Sequence, residues 1–279
     1  MKLSIVIPVY NEADRLDACL EAISRQSVTP LEVIVVDNGS SDNSQAIVMA
    51  YDFVTLLEEP KQGVVHARNT GFDAAHGEII GRIDADTILP TTWVEQLITI
   101  FKSSEASAVS GAPHYYDFAL SNLADRIDYN LRSRLAVRMA HQNFLWGANM
   151  AIRRSVWQQV RSQLCTSRDL HEDFDLGIHI QEMGFKVDYF PKLVADVSSR
   201  RIDTGLVDYI RYTLVSPKTY AHHQLKSWRY MYQVLFACWF FYLPARLIYR
   251  AYDPAKEKFS INRLLTPTQA RINPTVNVV

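Results

Sequence analysis

The chain is short of cysteine, of net charge and of long apolar runs, and each shortage removes a class of protein. Its three cysteines, Cys19, Cys165 and Cys238, are odd in number, far apart and form no CxxC. They argue against a disulfide framework and against a cysteine zinc site, and they point to a reducing compartment. Basic residues number 29 and acidic residues 30, for a net charge of −1. A protein that binds nucleic acid by neutralising phosphates carries a positive excess, so no nucleic-acid partner is expected. No cleavable leader is visible. The one apolar run near the start, Leu3–Val9, contains Pro8 and stops at Tyr10-Asn11-Glu12. A leader wants a longer apolar core and a small-residue cleavage site, so this run reads as a buried strand and the location as cytoplasmic. Repeats and low-complexity segments are missing as well. What remains is an ordinary globular composition, 48% hydrophobic and 21% charged over 279 residues. It excludes disorder and suits one large or two closely packed domains.

The first hundred residues alternate between two periods. Leu3–Val9, Leu31–Asp37, Val54–Glu58 and Glu78–Asp84 are β-branched or leucine-rich, and they read as strands buried on both faces. Between the first two, Leu16, Cys19, Leu20 and Ile23 recur at helical spacing, with Asn11 or Asp14 as the cap. A second helix is predicted from Ser41 or Asp42, and a third over about Val64–His76, stopped by Gly77. Such alternation implies right-handed crossovers and a mainly parallel sheet. Sheets of this kind bind ligands at the carboxyl ends of their strands. Three polar segments fall there: Tyr10-Asn11-Glu12, Asp37-Asn38-Gly39-Ser40 and Asp84-Ala85-Asp86.

Past about Ser110 the alternation fades. Leu123, Ile127, Leu131, Leu135 and Met139 predict a helix over about Leu120–His141, and Phe144–Arg153 reads as a return to the sheet. His171–Gly184 reads as a helix closed by Gly184, and a loose tail begins near Pro267. From Arg200 to Lys258, ten Lys or Arg oppose four Asp or Glu. This basic stretch holds the most apolar run, Val234–Ala245, whose twelve residues fall short of the roughly 20 that span a bilayer. Residues 227–250 have two readings. Either they lie on a membrane surface with arginines at anionic headgroups, or they form a core helix or a homodimer interface.

Asp84-Ala85-Asp86 carries the most suggestive chemistry. The two carboxylates would emerge where a buried strand leaves the sheet, and a turn there would let Asp86 bind a cation while Asp84 contacts the donor. Mg²⁺ and Mn²⁺ take such oxygens, completed by substrate phosphates. Alone, the pair is a common exposed turn. Here it stands in order with IVIPVYNE at 5–12, VIVVDNGSSDNS at 33–44, GVVHARNTG at 63–71 and HEDFDLG at 171–177. Together these segments resemble the inverting glycosyltransferases of family 2, with the GT-A fold, over roughly residues 3–200.

The resemblance implies an α/β GT-A architecture, a mainly parallel nucleotide-binding sheet flanked by helices with a C-terminal helical extension. Residues 1–110 would form the nucleotide-sugar half, 111–215 the acceptor and catalytic half, and 216–279 a basic, aromatic-rich extension and tail. It implies inverting transfer of one sugar from a nucleotide-diphospho-sugar to a hydroxyl of a carbohydrate or glycolipid acceptor. Pro8, Tyr10 and Glu12 would line the nucleotide pocket, Asp37 would bond the base, and Arg68 would lie near base and phosphate. Asp84 would contact the donor, and Asp86 would hold a divalent cation, Mg²⁺ or Mn²⁺. The pair Glu172-Asp173 would supply the catalytic base, usually its second member, and Gly147-Ala148-Asn149 looks like the acceptor-side segment.

Two departures matter. Asn38 stands where the family commonly has the second Asp of VDDGS, which removes one carboxylate near the nucleotide and leaves base preference open. The QxxRW of processive synthases is missing, its nearest approach being Gln224–Arg229, so a single addition is favoured. A sugar nucleotidyltransferase would want a Gly-rich phosphate loop after the first strand, and a dehydrogenase GxGxxG; Tyr10-Asn11-Glu12 occupies that place. A catalytically inactive binding module would be favoured by loss of Asp86 or Asp173, and both are present.

Overall fold

Leu3–Val9 does form a buried strand, β1, because its Val and Ile side chains find apolar partners on both faces. Leu3, Ile5, Ile7 and Val9 enter one core cluster and Val6 the other, as the two-residue period of a strand requires. The computed structural model describes residues 1–138, 144–167 and 169–265. The chain continues through α1 (Ala13–Ser24), β2 (Glu32–Asp37), α2 (Ser44–Met49), β3 (Val54–Glu58), α3 (Val64–Ala74), β4 (Ile79–Arg82) and α4 (Trp93–Ser103). It then runs through β5 (Ala108–Tyr115), α5 (Ser121–Arg138), β6 (Met150–Arg153), α6 (Arg154–Val160), α7 (Glu172–Glu182) and β7 (Val187–Val197). Two long helices follow, α8 (Leu206–His222) and α9 (Trp228–Ala251), then a short hairpin and a final helical turn at Ile261–Leu265.

Seven strands make one sheet in the order β3-β2-β1-β4-β6-β5-β7. All neighbours pair in parallel except β6, which runs antiparallel between β4 and β5. The mainly parallel sheet expected from the first hundred residues therefore extends through the second half. One face is covered by α1 and α4, through Leu16, Leu20, Trp93 and Leu97. The other is covered by α3, α6 and α7, through Phe72, Trp157, Leu176 and Ile180. A third cluster of Leu135, Ile178, Tyr220 and Met231 joins α5, α7, α8 and α9.

Several boundaries differ from the sequence expectation for local reasons. Strand β4 ends at Arg82 rather than Asp84, because the Asp84 carbonyl accepts the Thr87 N–H at 3.1 Å and turns the chain. Gly77 does not act as a left-handed stop. A side chain there would meet the Ser4 backbone nitrogen at 2.6 Å, so the glycine permits close packing on β1. The boundary expected at 215 falls inside α8, which runs on through Pro217. The expected helix ends at Met139 and His141, and the tail from Pro267, lie outside the described residues.

The largest difference is α9. The apolar run of twelve residues sits within a helix of 24, with a mean hydropathy of 1.3 over its most apolar window. By length and composition this helix is long enough to cross a membrane. Phe236, Phe240, Leu243 and Leu247 are each at least 59% exposed and recur along one face. Trp239 points the other way, donating its indole N–H to Thr213 Oγ1 at 2.9 Å. Arg246 and Arg250 turn to Asp203, at 3.3 and 3.7 Å, so neither is the unengaged headgroup contact expected of it.

Candidate active site

The carboxyl ends of β1, β2 and β4 open into one crevice, lined by Pro8, Tyr10, Glu12, Asn38, Arg82 and Asp84. The chain leaves β1 through Asn11 at φ 53°, a left-handed conformation that Asn tolerates, and this turn swings Glu12 inward. Glu12 is buried and its N–H donates to Ser44 Oγ at 3.0 Å. Asp37, at the end of β2, accepts the Ser40 N–H at 3.2 Å and the Gln45 side-chain amide at 2.9 Å. Asn38 is fully used. Its Nδ2 donates to the carbonyls of Glu59 and Lys61 at 2.8 and 2.9 Å, and its Oδ1 accepts the Gly63 N–H at 2.7 Å. An aspartate has no such donor, so the departure from VDDGS serves the fold of the 59–63 loop.

The turn after β4 separates the two acidic residues of the DAD. Asp84 pairs with Arg82 at 3.1 Å. Asp86 is buried and accepts a 2.8 Å bond from Arg200 Nε, while the other arm of that guanidinium meets both oxygens of Glu12. Burial works against the Arg200 charge, but Asp86 and Glu12 outweigh it and hold the guanidinium protonated well beyond its ordinary range. The site therefore stabilises a cation between Asp86 and Glu12, and its oxygen donors suit a hard divalent ion. Arg200 was visible in the sequence only as one of a basic stretch; it lies 114 residues from Asp86 along the chain.

A larger cavity, about 320 Å³, opens beside the crevice and shares Arg82 and Asp84 with it. Its wall includes Trp146, Gly147, Glu172, Asp173, Arg201 and Tyr212. Both acids sit in the first turn of α7, where a helix N-terminus favours negative charge. Asp173 Oδ2 accepts the Gly147 N–H at 2.9 Å and Oδ1 the Phe174 N–H at 2.8 Å. Glu172 Oε1 lies 3.1 Å from Arg82 Nη2. The two environments push the acids apart. Burial raises Glu172, but Arg82 and Arg68 outweigh it and the net shift is downward. Burial, with the neighbouring Glu172 charge, pushes Asp173 up to about 7. Beside them, burial holds His171 down at about 4, so this imidazole is neutral.

Arg82 was the site residue most open to detection and still missed: a charge inside the apolar run Ile79–Ile83, directly before the DAD. It anchors Asp84 and Glu172 with one nitrogen. Gly147 makes room for it, since a Cβ there would fall 0.9 Å from Arg82 Nη1. Gly147→Ala must therefore expel the guanidinium from both ion pairs. We expect transfer to fall by about 10²-fold, the scale of a 1 Å misplacement at a reacting centre, and the thermal transition to fall as well, because Glu172 loses its buried partner. Parallel rate and melting measurements check this, and an unaltered rate contradicts it.

Arg68 is placed differently from the expectation. It does not line either cavity but is buried beneath α7, lying 5.9 and 5.7 Å from the ring centres of Phe72 and Trp157. Its Nη1 donates to the Glu172 carbonyl at 2.9 Å, so it braces the acidic turn from behind. Asn149 is likewise structural. Its amide donates to the carbonyls of Ala112 and Leu193 and accepts the Trp93 indole N–H, leaving Gly147 and Ala148 to face the cavity.

A sequence model of Glycosyl transferase family 2 matches residues 4–161. Glycosyltransferase AglE of Haloferax volcanii is 30% identical over 179 residues, 61% of this chain and 59% of its own length. Glycosyltransferase GlyG of Streptococcus pneumoniae is 36% identical over 120 residues, 41% of this chain and 40% of its own. The chain thus spans about half the length of these curated relatives. Among solved structures, mannosyltransferase PcManGT from Pyrobaculum calidifontis, in complex with GDP-Man and Mn²⁺, superposes with a TM-score of 0.66. That likeness is at 23% identity, over 95% of this chain and 77% of that one.

Proposed function

The chain belongs to Glycosyl transferase family 2 and has the GT-A fold, and from that premise we propose that it is an inverting, single-addition glycosyltransferase. Its donor is a nucleotide-diphospho-sugar, and its acceptor is a carbohydrate or glycolipid hydroxyl presented at the cytoplasmic face of a membrane. One observation carries this reading: the crevice at the strand ends and the cavity bearing Asp173 meet at Arg82 and Asp84. The donor occupies the first, in the half formed by residues 1–110, and the acceptor the second. Asp84 lies at their junction, where the anomeric carbon would sit.

Asp173 takes the proton of the acceptor hydroxyl as that oxygen attacks the anomeric carbon. Held at about 7, it can be deprotonated yet still basic enough to act near neutrality. Glu172 keeps its charge through Arg82 and Arg68 and raises the basicity of its neighbour. Retention would need a carboxylate nucleophile on the sugar, and Glu172 is already committed to Arg82 at 3.1 Å. Direct displacement, and hence inversion, is the simpler course. Asp86 would hold the divalent cation, which when bound neutralises charge on the departing diphosphate. Release of nucleoside diphosphate from a panel of UDP-, GDP- and dTDP-sugars with Mn²⁺ tests the reading. Turnover confined to donors of one base is expected, and no release from any donor, with Mn²⁺ or Mg²⁺, defeats it.

The exposed stripe of Phe236, Phe240, Leu243 and Leu247 supports seating α9 on the membrane surface, with exposed Arg229 nearby. Flotation with anionic liposomes is expected, weakened in Phe240→Glu and less efficient with neutral lipid. A homodimer that fails to float with either and dissociates in Phe240→Glu overturns the membrane contact.

A further inference from the structure

We propose that Cys165, Asp175, His179 and His223 form a structural zinc(II) site, on the side of α7 away from the reacting groups. One ligand atom from each of these residues lies within 4.8 Å of all the others. Asp175 Oδ1 stands 2.9 Å from His223 Nε2 and 3.5 Å from His179 Nε2, and Cys165 Sγ lies 3.8 Å from His179 Nε2. The edges of a tetrahedron with zinc's N, O and S bond lengths measure roughly 3.3–3.6 Å. The three separations bracket that range, and the remaining pairs lie within 4.8 Å, so small side-chain shifts would close the figure around an ion. Asp175 and His223 are almost wholly buried, their side chains 1% and 7% exposed. Exposed His222 approaches the same thiol at 3.7 Å from the solvent side.

Glu182 provides an independent argument. Its oxygens lie on the Nδ1 side of both imidazoles, 3.2 Å from His179 and 3.9 Å from His223. A carboxylate bonded behind a histidine, as Glu182 is to His179, fixes the Nδ1–H tautomer and frees Nε2 to ligate metal. Both Nε2 atoms here face the same oxygen of Asp175. A neutral imidazole carries one proton, so without a metal each ring must either charge itself or leave one nitrogen lone pair against a carboxylate. Zinc at Nε2 removes the conflict on both rings together. Thiolate, carboxylate, two neutral imidazoles and Zn²⁺ sum to zero charge, as a buried site favours. Binding releases the Cys165 proton to solvent, and the sulfur–zinc bond replaces S–H.

The scarcity of cysteine and the lack of a CxxC pointed away from zinc, because the fold supplies the ligands from separated places. Asp175 and His179 lie one turn apart on α7, Cys165 lies in the loop before it, and His223 caps α8. The ion would tie α7, which carries Glu172 and Asp173 in its first turn, to α8, whose Tyr212 and Ser216 line the acceptor cavity.

Elemental analysis and cobalt substitution of the full chain test the site. We expect one zinc per chain as isolated, retained in Asp86→Ala, which separates it from any ion held at the DAD. The zinc should be lost in His223→Ala and Cys165→Ser, and zinc affinity weakened by about 10–100-fold in Glu182→Gln. Cobalt(II) should give the visible bands of a tetrahedral site with thiolate charge transfer, and this readout needs no variant to fold. Wild-type chain that takes up neither metal, or cobalt spectra without the thiolate band, overturns the proposal.

Discussion

Replacing Asp173 with Asn is expected to lower sugar transfer by about 10²–10⁴-fold, the usual contribution of a positioned general base. Asparagine keeps the size and the oxygen that accepts the Gly147 N–H at 2.9 Å, so donor affinity should survive. The pH profile gives the same residue a second signature. With Asp173 moved from 3.8 to about 7, kcat/KM of the wild type should rise with pH and level off above about 7. An ordinary aspartate would leave the profile flat across that range. The stability effect has the opposite direction. The folded state holds this proton more tightly than the unfolded chain, so the contribution favours folding at low pH. It is lost as pH rises from about 4 through about 7. Steady-state rates of Asp173→Asn and Glu172→Gln on either side of pH about 7, where Asp173 titrates, check the assignment. If Glu172→Gln fails and Asp173→Asn is normal, the base is Glu172.

Asp86→Ala should abolish cation-dependent turnover, and EDTA should silence the wild type to the same degree. The side chain is buried at the carboxyl end of the sheet, outside the two apolar clusters that cover its faces. Its removal therefore costs the cation site and one arm of Arg200, not the core. Circular dichroism and melting should show the fold of the variant intact. Full activity of Asp86→Ala in EDTA contradicts the role. Arg200 already spans Asp86 and Glu12, so Arg200→Ala would leave two buried carboxylates without their cation.

The first half of the fold was legible because its strands are short continuous apolar runs; β1 and β3 have the boundaries that composition predicts, although β3, at the edge of the sheet, is part-exposed rather than buried on both faces as expected. Ends governed by turns were not, as β4 shows: its end depends on the Thr87 N–H reaching Asp84. The acidic site residues were legible as types in order. Their partners were not. Arg200 joins Asp86 across the whole acceptor half, and Arg68 sits under α7 because Phe72 and Trp157 offer it rings there. Neither relation leaves a local pattern. The zinc ligands are hidden for the same reason, since one cysteine among three separated segments matches no spacing rule.

Direct displacement with Asp173 as the base would fix the configuration of the product, which can be read without knowledge of the acceptor. Water can replace the acceptor hydroxyl in the cavity, giving slow hydrolysis of the donor. Proton NMR of the sugar, recorded before its anomers equilibrate, reports the anomeric configuration at the moment of release. Sugar first appearing with the configuration opposite to the donor, and much more slowly in Asp173→Asn, is the predicted result. Sugar released with the donor's configuration, at a rate indifferent to Asp173, would contradict the account.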